Sequence, residues 1–148
     1  MAAVLVSVLL LPVLITPGAA LANGAITQSP LSFGTVVTIG GTVDISTSSD
    51  NLTGGGVLAS SGTVSRGRIA VSRTIPAVVT ATLDSAPASL SCGGQSVPIS
   101  VSIDDSGCSI LSTGPCTIFV GASVFVPSAP SEGSCAAADV EVSLTFTP

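Results

Sequence analysis

Four cysteines, Cys92, Cys108, Cys116 and Cys135, are the side chains of this sequence best equipped for covalent chemistry. A thiol can serve as nucleophile, metal ligand or half of a disulfide, and its neighbours decide which. Here the neighbours are few, because the chain contains no His, no Lys, no Tyr and no Trp. Zinc is disfavoured, since no two cysteines stand in a C-x-x-C pair and no imidazole is present to complete a mixed site. Behind an export signal, an even count reads as disulfides. Four cysteines allow three pairings. The preferred one joins Cys108 to Cys116, closing a short loop, and Cys92 to Cys135. Loop-closure entropy would make these worth roughly 2.5 and about 4 kcal/mol, as upper figures.

The remaining reactive groups are eight carboxylates and three arginines, Arg66, Arg68 and Arg73. Without imidazole, amine or phenol, most ways of activating a nucleophile are closed, and paired cysteines leave no thiolate. A glycosidase needs only two carboxylates, but such sites also want aromatic platforms and groups that orient the sugar. The acids here fall mostly in turns or on outward strand positions, so an enzyme is not expected. Asp104 and Asp105 are adjacent carboxylates without the further oxygen ligands that calcium requires, and they read as a turn. Asn51-Leu52-Thr53 matches a glycosylation sequon but reads as loop. The arginines in Ser65–Arg73 read as a solvated strand face. No glycine loop opens a helix to hold phosphate, and no cofactor or metal is expected. A net charge of −5 argues against nucleic acid, which demands a basic footprint, and against anionic membrane surfaces.

The elements that carry these residues start with an apolar leader. Residues 2–22 (AAVLVSVLLLPVLITPGAALA) have an apolar centre at Val4–Ile15 and end in Ala20-Leu21-Ala22, the A-x-A pattern that signal peptidase reads. The expectation is a signal peptide helix over 1–22, with the mature domain at 23–148. No Lys or Arg precedes the run, so a start further upstream is left open. The competing reading is a retained membrane anchor, since the run nears the roughly 20 residues that span a bilayer. Pro12 and Pro17 interrupt it, and no basic stop-transfer cluster follows. Export would place the domain in the periplasm, on the cell surface or outside the cell, with no membrane contact after cleavage.

Beyond the leader the chain alternates. In Asp139–Phe146 (DVEVSLTF) Val140, Val142, Leu144 and Phe146 alternate with polar residues, the mark of a half-buried strand. In Thr117–Val126 (TIFVGASVFV) one parity carries Ile118, Val120, Ala122, Val124 and Val126, and the other carries Phe119 and Phe125. These two runs read as a strand pair around which the domain is organised. Asn23–Ile39, bent at Pro30 and Gly34, and Thr42–Ser46 flank the Gly40-Gly41 turn and predict a hairpin. Val57–Ser60, Arg68–Ser72, Ala77–Leu83 and Val97–Ile103 read as strands, with Gly62, Gly67 and Pro76 as breaks. Thr47–Gly56 and Asp104–Pro115 read as loops. The sum is an all-β fold, an immunoglobulin-like antiparallel β-sandwich of about seven to nine strands.

Leu31-Ser32-Phe33-Gly34-Thr35-Val36-Val37, Gly41-Thr42-Val43-Asp44-Ile45, Gly54-Gly55-Gly56-Val57 and Phe119-Val120-Gly121-Ala122, leading through Pro127 to a closing alternating strand, together resemble the bacterial exported proteins grouped as domain of unknown function 4402. The resemblance covers nearly all of the expected mature chain, and that family has no assigned activity. It is similar in style to secreted pilin-like and spore-coat-U-like domains, from which it implies assembly by strand addition with other copies or other surface subunits. The expected contact surface is the Phe119 and Phe125 parity with the strand of Val140, Val142, Leu144 and Phe146. Against a free donor arm, only Asn23–Ser29 precedes the first strand. The function expected is thus a non-catalytic exported structural or cell-surface subunit. The alternative is a monomeric secreted module that takes a glycan or small ligand through the Thr47–Gly56 and Asp104–Pro115 loops, although it lacks Trp and Tyr.

Overall fold

The computed structural model describes residues 3–5, 26–127, 133–136 and 138–148. The strands in chain order are β1 (Ala3–Leu5), β2 (Ile26–Ser29), β3 (Thr35–Thr38), β4 (Gly41–Ile45), β5 (Leu52–Thr53), β6 (Val57–Ser61), β7 (Gly67–Ser85), β8 (Ser89–Cys92), β9 (Gln95–Asp104), β10 (Ser112–Val126), β11 (Gly133–Ser134) and β12 (Glu141–Thr147). Among the described residues one 3-10 turn, Ser106–Cys108, breaks the pattern. The all-β expectation holds; β7, β9 and β10 run longer than alternation alone resolved, and short strands such as β5 and β11 are added. The expected leader helix and cleavage point lie mostly outside the described residues. The leader residues that are described, Ala3–Leu5, form a strand that runs antiparallel to β3 and parallel to β11.

β10 is the axis of the larger sheet. Phe119 pairs with Arg68 of β7 and with Asp104 of β9, while Val124 pairs with Val43 of β4 and with Ile99 of β9. One edge of β10 is therefore served by β9, and the other by β7 and then β4. Its even-numbered side chains from Cys116 to Val126 are buried, as period-2 alternation dictates for a strand facing a core. They meet Val36, Val43, Ile45, Ile69, Val71, Val79 and the inward residues of β12 in one apolar cluster. The smaller sheet runs β11-β1-β3-β6.

Three sequence expectations are corrected. The hairpin across Gly40-Gly41 does not form: β3 pairs with β1 and β6, whereas β4 pairs with β10 and β5, so the two glycines carry the chain from one sheet to the other. The organising pair is not a pair either. β12 lies against β7, with Leu144 opposite Ala81, because both edges of β10 are already taken. Third, Pro76 does not end a strand. β7 continues through it, at a register shift where Thr74–Pro76 face the single residue Thr113. A bulge is one of the few places a sheet tolerates proline.

Candidate functional site

The cysteines are all paired. Cys92 is bonded to Cys135 and Cys108 to Cys116, with sulfur–sulfur distances of 1.96 and 2.08 Å, and none is free. This is the preferred sequence pairing. Cys92–Cys135 ties the end of β8 to the segment before β12, reinforced by the Ala136 amide donating to the Ser91 carbonyl at 2.8 Å. Cys108–Cys116 closes the loop that leads into β10.

Inside that loop lies a residue the sequence reading misplaced. Arg73 was expected on a solvated face, yet it is only 5 % exposed. Its Nη1 donates to the carbonyls of Ala77 at 2.8 Å, Ile110 at 3.0 Å and Cys108 at 3.4 Å. Nε donates to the Gly114 carbonyl at 3.2 Å, and Nη2 to the Ser112 hydroxyl at 2.9 Å. Among the described residues no carboxylate lies within ion-pair distance of it. The guanidinium is thus solvated by backbone dipoles, which its planar fork of donors suits better than an ammonium would. The signal was present in the sequence: Ile69, Val71 and Arg73 share one strand parity, and the first two are core residues. Held between Arg73 and the disulfide, the loop tip presents Ile110 and Leu111, 68 % and 57 % exposed.

Arg66, just before β7, and Arg68 in it lie on the opposite side from Arg73. Arg68 Nη2 and the Arg66 amide both donate to the Asp50 carboxylate, and Arg66 Nη1 donates to the Thr47 carbonyl. The Arg66 guanidinium lies 3.6 Å from the centroid of the Phe119 ring. This cation over a ring face, with the Arg66 bond to the Thr47 carbonyl, fastens the start of the Thr47–Gly56 segment over β10; further on, Leu52–Thr53 is strand β5 rather than loop. Gly121 makes the crossing possible, because a Cβ there would stand 2.5 Å from the Ile45 carbonyl oxygen. Gly56 meets the same condition, with a Cβ position 1.8 Å from the Gly40 carbonyl oxygen.

The two adjacent aspartates are also spent locally. Asp105 accepts from the Ala81 amide at 2.9 Å, which pins the 3-10 turn to β7, and Asp104 accepts from the Ser106 amide at 3.0 Å. Hydrogen bonds from Ser106, side chain first and then backbone, hold the Asp104 carboxyl below the ordinary aspartate value, with Arg66 assisting. Among the described residues no cluster of three His, Cys, Asp or Glu could hold a metal ion. Likewise, no helix there is long and apolar enough to cross a membrane.

The expected contact residues separate. Val140, Val142 and Leu144 are buried in the core and cannot meet a partner through their side chains. Phe146 is half-buried, and Phe119 is half-buried beneath Arg66. Phe125 stands 56 % exposed. What β12 does offer is its backbone: among the described residues it pairs along one edge only, with β7.

A family model described as Domain of unknown function (DUF4402) matches residues 25–146. No curated protein and no solved structure matches the chain.

Proposed function

For a chain that belongs to the DUF4402 family, we propose a non-catalytic exported structural or cell-surface subunit that assembles through its strand edges. The observation that carries this reading is the division of labour between side chains and backbone. The four cysteines, the three arginines and Asp50, Asp104 and Asp105 are all engaged in fastening the fold. The groups left to meet a partner include main-chain edges, since β12 and β6 each end a sheet, among the described residues. An open edge is a template for strand addition. The two disulfides fit an oxidising compartment, which supports export to the periplasm, the cell surface or the medium. The test is to purify the oxidised protein from the exporting cell and follow its sedimentation over a wide concentration range, with negative-stain microscopy. Oligomers or filaments that grow with concentration are expected. A strict monomer at the highest concentration would overturn the reading.

A second reading is favoured by one observation, the rigid presentation of Ile110 and Leu111 on a loop clamped by Arg73 and a disulfide. Preorganised loops lose little entropy on binding. A monomeric module recognising a glycan or small ligand there would give a hit in an array screen that is lost in an Ile110→Ser, Leu111→Ser variant.

A further inference from the structure

We infer that the leader strand β1 is a removable plug: Ala3–Leu5 covers an edge of β3 while the leader is attached, and cleavage of the leader uncovers that edge. This rests on the export reading above and supplies the step at which a strand edge becomes available. The occupant is the chain's own leader. β1 runs antiparallel to β3, with Ala3 opposite Val37 and Val4 opposite Val36, and parallel to β11, with Val4 opposite Gly133 and Leu5 opposite Ser134. Val36 belongs to the core, and residues directly opposite share a face of the sheet, so the register position opposite Val36 needs an apolar residue. The leader places Val4 there. Residues 2–22 carry no charge, so they approach a chain of net charge −5 without repulsion.

Both walls of this slot are anchored without β1. On one side β3 pairs with β6, and Val36 and Thr38 are buried. Just outside the strand, Ser32 and Ser65 exchange amide-to-carbonyl bonds of 2.8 and 2.9 Å, and the Ile39 amide donates to the Gly56 carbonyl at 3.1 Å. On the other side β11 runs directly into Cys135, which is bonded to Cys92. With β1 between them, β3 and β11 stand two strand spacings apart, about 9.5 Å, twice the distance at which strands pair. They cannot close on each other unless an anchor yields. Nor does the rest of the chain offer a spare strand, because Ile26–Ser29, the first described strand after the leader, is already paired with β7. Loss of β1 therefore leaves the edge of Thr35–Thr38 (TVVT) open, with no lysine, proline or charge to blunt it.

The test is amide hydrogen exchange read by NMR, on the exported protein and on the full chain made without export and oxidised in vitro. The N-terminus of each sample is read by mass, at a concentration where sedimentation shows monomers. Successive amides along a strand point to opposite neighbours, so of the Val36 and Val37 amides one faces β1 and the other β6. Both should be slow in the full chain. In protein cut before Asn23 the amide facing β1 should exchange at least about tenfold faster, while the one facing β6 stays slow and reports an intact fold. Full-chain Val4→Pro should show the same asymmetry, because a central strand does not accept proline. A peptide of residues 2–7 (AAVLVS) added to the cut protein should return the fast amide to slow exchange, and the Val4→Pro peptide should not. Equal exchange in cut and full chains, loss of both amides' protection on cutting, or failure of the unmodified peptide to restore it overturns the plug while export stands. An exported protein that keeps residues 1–22 overturns the cleavage reading and the plug together.

Discussion

Arg73 shows how far one side chain can be from the role its type implies. Arginine in a short basic stretch ordinarily means a wet surface. Here burial leaves the choice between an unsatisfied cation and a cage of carbonyls, and the chain supplies the cage. Removing the donor strands several buried acceptors, and a buried polar group left unsatisfied costs about 1–3 kcal/mol. Arg73→Ala is therefore expected to lower the urea-unfolding free energy of the oxidised protein by about 3 kcal/mol. Arg73→Lys should recover only part of it, because a single ammonium cannot reach the same spread of acceptors. Asp104 makes a smaller, pH-dependent contribution. Its folded pKa is depressed, so the stabilisation is fully present above the ordinary aspartate value of about 3.9 and is lost as pH falls through the folded value. An NMR titration should find the Asp104 carboxyl moving up toward its ordinary value in Ser106→Ala. An unmoved titration would contradict the hydrogen-bond cause.

Among the elements, β10 depends on a neighbour that passes over it as well as on those beside it. The segment after β4 crosses its outer face at Gly121, and Arg66 closes the crossing over Phe119. A methyl group at Gly121 has no space, since backbone rather than a flexible side chain stands in its way. Gly121→Ala should thus destabilise by about 1–3 kcal/mol, the usual cost of overpacking, read from the urea midpoint. Gly56 and Gly121 lie within the short motifs that carried the family resemblance. Both are places where backbone meets backbone, so those motifs record packing of one segment on another. Element types were legible because alternation is a local signal: β4, β9 and the second half of β10 fall where it put them. Pairing was less legible. A hairpin between β3 and β4 and a pair between β10 and β12 both satisfy the alternation, yet neither forms.

For the whole molecule, the disulfides offset a core with little aromatic bulk, as only four Phe are present. Replacing Cys92 and Cys135 together by Ser should cost about 4 kcal/mol, and replacing Cys108 and Cys116 about 2.5 kcal/mol, from the 43- and 8-residue separations they close. Equilibrium denaturation of the two double variants checks the order. A larger loss from the shorter loop would mean that native contacts outweigh chain entropy there.

By itself, the sequence determined the fold class and the family, and it favoured, among three possible pairings, the one the cysteines adopt. Alternating apolar residues, turn glycines and cysteine spacing act over short distances and survive being read in one dimension. Tertiary structure alone decided that Arg73 is buried, that β12 joins β7, and that Val140, Val142 and Leu144 face inward so that β12 offers its backbone edge. Those outcomes depend on which edges of β10 were already occupied and on which face closed over the core. Competition of that kind among distant segments leaves no mark in any single stretch of chain.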